Sequence, residues 1–127
     1  MIKKITPVLV VDVVEPCAQF WQKLGFARVA EVPHGDTLGF VILVGNDIEL
    51  MYQSLESVIA DSATMGARLK AGGSSVFVEV SDLDAAVAAV EGAPIIVPDR
   101  TTFYGMREIG VLDPGGNVVM FAQRVES

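Results

Sequence analysis

The sequence has one cysteine, Cys17, and one histidine, His34. A lone cysteine closes no intrachain disulfide, and no His-rich or Cys-rich tract accompanies it, so a disulfide scaffold and a zinc finger are both excluded and a reduced, cytoplasmic setting is expected. A single histidine makes a two-histidine metal site impossible. It sits in the turn Pro33-His34-Gly35 and is read as an exposed turn residue, which leaves Cys17 without a base to activate it and gives no Ser-His-Asp constellation. No glycine-rich phosphate loop is present. Long apolar runs are also missing: the mean hydropathy of +0.48 comes from short Val, Ile and Leu runs, none near the ~20 residues needed to cross a bilayer. The stretch from Ile5 to Val11 after Lys3-Lys4 faintly imitates a signal peptide, but Asp12 ends it and no small-residue cleavage site follows. A soluble chain with no membrane partner is expected. Basic residues are scarce, with Lys+Arg 9 against Asp+Glu 16 and a formal net charge of −7. Such a surface repels a phosphate backbone, so no nucleic-acid partner is expected, while cationic small molecules are admitted.

What is there suits a folded domain: 127 residues, 51% of them apolar, enough to remove roughly two-thirds of the unfolded surface from water around one core. Val8-Leu9-Val10-Val11 reads as a strand. Asp12, with Glu15 three residues on, reads as a capping box opening a helix over about 13 to 24, closed by Gly25. Strand-like segments follow at 26 to 32, 38 to 44 and 47 to 53, parted by Pro33-His34-Gly35-Asp36 and Gly45-Asn46. Residues 54 to 73 form a linker with a helical stretch. Ser75 to Val80 is again a strand, the stretch from Ser81 to Asp84 caps an Ala-rich helix over 83 to 90, and strands follow at 94 to 97, 106 to 112 and 118 to 123. Asp113-Pro114-Gly115-Gly116-Asn117 is the turn between the last two.

The two halves repeat each other. Gly45-Asn46-Asp47-Ile48-Glu49-Leu50-Met51 and Gly116-Asn117-Val118-Val119-Met120-Phe121-Ala122 share their turn pair and their buried positions at an offset of 71 residues. The expectation is an α+β fold of two tandem βαβββ modules, 3–53 and 74–125, in a single domain over 1–127.

Thr6-Pro7-Val8-Leu9-Val10-Val11-Asp12, Phe20-Trp21, Leu24-Gly25-Phe26, Ile48-Glu49-Leu50 and Gly105-Met106-Arg107-Glu108 with the Asp113–Asn117 turn resemble the vicinal oxygen chelate superfamily over about residues 3 to 125. That group includes glyoxalase I, extradiol dioxygenases, fosfomycin-resistance enzymes and bleomycin-resistance binding proteins. The resemblance implies curved, partly barrel-like mixed sheets around a concave ligand cavity, frequently completed by dimerisation. In its enzymes the cavity holds a divalent metal, on a His from the first strand of each module and a Glu or similar ligand from the last. Those places are Ile5, Glu49, Ser75 and Met120 here. Of these only Glu49 suits a hard ion, so no metal cofactor is expected.

Period-two alternation from those positions directs Ile5, Pro7 and Leu9 into the cup, with Val8 and Val10 against the helix. The same rule directs Asp47, Glu49 and Met51 inward, then Ser75, Phe77 and Glu79, then Met106, Glu108 and Gly110, and finally Val118, Met120 and Ala122. Glu49, partly desolvated among apolar neighbours, suits a general base or a counter-ion. Glu108 and Glu79 either meet a ligand or reach water and salt bridges. Phe103 and Tyr104, in the loop before the seventh strand, either lie across a ligand or plug the packing. The expected ligand-binding set is thus Leu9, Met51, Phe77, Phe103, Tyr104, Glu108 and Met120, with Trp21 pointing away. The residues favour a metal-free homodimer, resembling the bleomycin-resistance branch, that holds a small hydrophobic or cationic molecule. The alternative is a lyase or isomerase of glyoxalase type using Glu49 as base or metal ligand.

Overall fold

β-branched runs and glycine turns sort the chain into two copies of one motif. In the computed structural model, which describes residues 1–126, the first copy is β1 (Val8–Val11), α1 (Glu15–Gln22), β2 (Ala27–His34), β3 (Thr37–Gly45) and β4 (Ile48–Ser54). Two short helices, α2 (Leu55–Asp61) and α3 (Ala63–Gly66), lead to the second copy: β5 (Ser75–Glu79), α4 (Leu83–Ala89), β6 (Ile95–Thr101), β7 (Met106–Leu112) and β8 (Val118–Arg124). The sheets have the orders β1-β4-β3-β2 and β5-β8-β7-β6. In each, the first strand pairs parallel with the last and the remaining pairs are antiparallel. The tandem α+β organisation is therefore as expected, with curved open sheets rather than closed barrels. No helix among the described residues is long and apolar enough to cross a membrane.

The helix starts differ. Asp82 caps α4 as expected, its Oδ1 accepting from Ala85 N–H at 3.0 Å. Asp12 caps nothing. The first helix begins only at Glu15 with Pro16 in its first turn, and Val14 at its N-cap supplies no side-chain acceptor. A proline without an N–H and with φ preset suits that first turn, while Glu15 turns to Arg28 instead of closing a capping box. The linker helices take their caps from Ser54 and Ser62, which accept from Ser57 N–H and Met65 N–H, each at 3.2 Å.

One apolar cluster serves both modules. Leu9, Val11, Trp21, Leu43 and Tyr52 from the first pack with Leu83, Val111, Val119 and Phe121 from the second, and Trp21 meets Phe20 and Phe26 edge to face. The β7–β8 turn of the second module plugs into the first. Trp21 Nε1 donates to the Tyr52 hydroxyl at 2.8 Å, and that hydroxyl donates to Asp113 Oδ2 at 2.6 Å. Asp113 Oδ1 accepts from Gly115 N–H and Asn117 N–H at 2.9 and 2.8 Å. Gly115 lies so close that an added Cβ would come within 2.2 Å of Val11 Cγ1 and 3.2 Å of Cys17 Sγ.

Candidate functional site

Strand pairing decides which side chains stand on the open, inner face of each sheet. On the first sheet Leu9 pairs with Tyr52, and both belong to the core. Val8 pairs with Met51 and Val10 with Gln53, so the inner face carries Val8, Val10, Met51, Ile42 and Phe40, with Glu49 one step along β4. On the second sheet Phe77 pairs with Met120 and Met120 with Gly110, which sits opposite Val97. This row runs straight across four strands. Beside it runs the row Glu79, Ala122, Glu108 and Arg100. Gly110 is the low point of the first row: a Cβ there would meet Val97 Cβ at 2.9 Å and Met120 Cε at 3.1 Å, so those side chains close over it as an apolar floor.

A cleft of about 1170 Å³ opens between the modules. Its walls are the end of α1 with Leu24 and Phe26, the β3–β4 turn with Asp47, the start of β4, and β5 with α4 opposite. It occupies the counterpart of the joint filled by the Asp113–Asn117 turn, because Gly45-Asn46-Asp47, the matching turn of the first module, leaves its corner open. Glu49, Phe77 and Glu79 all border it, and Phe77 is 57% exposed. Glu49 Oε2 accepts from Lys4 Nζ at 3.0 Å and its Oε1 from the Thr6 hydroxyl at 3.2 Å. Asp47 and Glu79 make no ion pair among the described residues.

A second polar cluster lies on the inner face of the second sheet. Glu108 is 1% exposed, and its Oε1 accepts from Arg100 Nε and an Arg100 terminal nitrogen at 3.2 and 3.1 Å. Its Oε2 accepts from the Tyr104 hydroxyl in a short hydrogen bond. That bond to Glu108 pushes the Tyr104 phenol above its ordinary value. Phe103, fully exposed, stacks edge to face on Tyr104 with ring centres 5.1 Å apart.

A family model for the Glyoxalase/Bleomycin resistance protein/Dioxygenase superfamily matches residues 3–121. The chain belongs to that superfamily. Among curated proteins none matches significantly. Solved structures share the superfamily fold at low identity. TioX from Micromonospora sp. ML1 is 21% identical, with 97% of this chain and 99% of that one covered and a TM-score of 0.72. A bleomycin-binding protein complexed with bleomycin is 20% identical, with 97% and 99% covered and a TM-score of 0.65. A bleomycin resistance determinant encoded on the transposon Tn5 is 19% identical, with 97% and 98% covered and a TM-score of 0.67.

Within this superfamily member the expected site residues divide into three groups. Glu49 and Phe77 meet at the cleft. Met120, Glu108, Tyr104 and Phe103 gather on or above the second inner face, to which Phe77 also belongs, while Met51 lies on the first inner face beside Val8. Leu9 requires a correction, because it is buried against the core and the inner face of β1 belongs to Val8 and Val10. Thr6, ahead of the strand, reaches Glu49 in the way assigned to Ile5. Ile5 itself is exposed, bordering the cleft with Pro7. Sequence reasoning missed Arg100, Lys4 and Thr6. The signal for Arg100 was its place across the β6–β7 hairpin from Glu108, hidden by the register shifts in that ladder.

Proposed function

We propose that the chain is a cytoplasmic, homodimeric binding protein that holds a small hydrophobic or cationic molecule without a metal. The observation that carries the reading is the cleft, where apolar walls from both modules meet Asp47 and Glu79, two carboxylates that make no ion pair among the described residues, with Lys4 and Lys23 also on its rim. Apolar walls with a few placed polar groups are the usual make-up of a small-molecule site, and unpaired carboxylates in it favour a positive charge. The bleomycin-binding relative, whose structure contains bleomycin, adds support by likeness of fold.

The donor chemistry around Glu49 supports the metal-free part. An ammonium at 3.0 Å and a threonine hydroxyl stand beside the carboxylate. Ser75 and Met120, the remaining places, offer a weak donor and a thioether, and no three His, Cys, Asp or Glu converge among the described residues. This set does not fit a hard or borderline divalent ion. The lyase reading is weaker on the same geometry, since a base engaged on both oxygens must first release Lys4 and Thr6.

Elemental analysis of protein purified without chelator tests the reading, with far less than one zinc, nickel, manganese or iron per chain as the expected result. A stoichiometric metal restores the enzyme. Glu79→Gln, read by the affinity for an aromatic cation such as thioflavin T, and Glu49→Gln, read by turnover, add a second test. A binding protein should keep its fold and lose the charge-assisted part of the affinity, about 1.5 kcal/mol or more. For a lyase, turnover should fall by on the order of a hundredfold with affinity for substrate held.

A further inference from the structure

We propose that Arg100 is the polar anchor of a ligand subsite on the inner face of the second sheet, and that it takes an anionic oxygen group, a carboxylate or sulfonate, on an aromatic compound. The proposal rests on the reading above that this chain binds small molecules, and it names an arginine fork, which the cleft does not contain.

Burying a carboxylate as deeply as Glu108 costs free energy unless every lone pair is engaged. Here both oxygens are engaged, by Arg100 and by Tyr104. At 1% exposure Glu108 cannot itself reach a ligand, so it acts as a positioning residue. What it positions is a guanidinium whose side chain is 55% exposed. Arginine has five N–H donors in a planar fork. Glu108 takes Nε and one terminal nitrogen, and the other terminal nitrogen has no acceptor among the described residues. A fork held in place with free donors suits a planar oxyanion and loses little freedom on binding one.

The surroundings specify the rest of the molecule. Next to Arg100 across the sheet lies the apolar floor of Val97, Gly110, Met120 and Phe77, and the Tyr104 hydroxyl is held by the same carboxylate that holds the arginine. An apolar floor beside a guanidinium and a phenol offers contact to the flat face of an aromatic ring. The acidic Glu79 lies on the opposite edge strand, three inter-strand steps away, roughly 14 Å, and does not oppose an anion at Arg100.

The test titrates two fluorescent probes into the intact protein: 1-anilinonaphthalene-8-sulfonate, an aromatic anion, and thioflavin T, an aromatic cation. Arg100→Gln should weaken the sulfonate by about tenfold or more and leave the cation unchanged, and Arg100→Lys, keeping charge without the fork, should fall between. Because Arg100→Gln leaves Glu108 buried without its cation, the pair Arg100→Gln with Glu108→Gln replaces the ion pair by two neutral amides and should show the same loss with the fold retained. Sulfonate binding equal in wild type and the double variant overturns the anchor while the binding reading stands. Saturable binding of neither probe to the wild type overturns both.

Discussion

At the scale of single residues, the joint between the modules governs the two groups most displaced from their usual chemistry. Cys17 is fully buried, and burial first, then the nearby Asp113 charge, pushes its thiol from 9.0 up to about 12. Tyr52 is pushed well above a phenol's ordinary value, again by burial first and then by Asp113, to which it donates. Both groups are neutral when folded and ionise more readily once unfolded. The unfolded chain therefore gives up protons that the folded chain keeps, and stability falls as pH rises. Their contribution is fully present below about pH 9 and drains away between the thiol's ordinary value of 9.0 and about 12. Thermal melts should show a Tm that holds between pH 7 and 9 and drops above, with a shallower drop in Cys17→Ala. A thiol reagent at pH 8 should leave the native protein unmodified and react on unfolding, whereas prompt native labelling would contradict this placement of Cys17.

At the scale of elements, a single turn locks one module to the other. An alanine at Gly115 would press its Cβ against Val11 and Cys17, and both are backed by the core, so neither side can yield cheaply. Overpacking of this kind costs about 1 to 3 kcal/mol. Gly115→Ala should lower the urea midpoint accordingly, and an unchanged midpoint would show that the turn is not wedged. Gly35→Ala belongs to a different case: space is open there, and the cost comes from its φ of +61°. The same joint explains what the sequence could and could not reveal. In the second module Asp82 really is the helix cap, and alternation from Ser75 puts Ser75, Phe77 and Glu79 on the inner face, as their pairing with Val118, Met120 and Ala122 requires. In the first, Asp12 only imitates a cap, because Pro16 lets the helix begin at Glu15. Alternation from Ile5 displaced β1 by one residue, which turns every side chain to the opposite face and sent Leu9 inward when Val8 and Val10 stand there. The Arg100–Glu108 pair was out of reach for a related reason. It depends on register shifts in the β6–β7 ladder, and a bulge leaves no signal in alternation.

At the scale of the whole molecule, two open sheets leave four edges, and they are unequally defended. The outer edges β2 and β6 carry Pro33 and Pro98, which withhold an N–H from any added strand. The edges β1 and β5 carry no proline within the strand, and the inner faces beside them expose Val8 at 46% and Phe77 at 57%. Edge strands and apolar patches left in this condition call for a cover. A second copy laid against the β1 and β5 side supplies it while leaving the proline-guarded edges in water. Light scattering at micromolar concentration should therefore give about twice the chain mass of 13.5 kDa. Each copy carries a net charge of −7, so the two repel, and raising salt should tighten the dimer by screening that repulsion. Val8→Glu, which buries a charge in the proposed contact, should yield monomers with an unchanged circular dichroism spectrum. Ile95→Glu, at a still more exposed site on the guarded edge strand β6, should leave the dimer intact. A monomeric wild type, or dissociation by Ile95→Glu and not by Val8→Glu, would place the contact elsewhere or remove it.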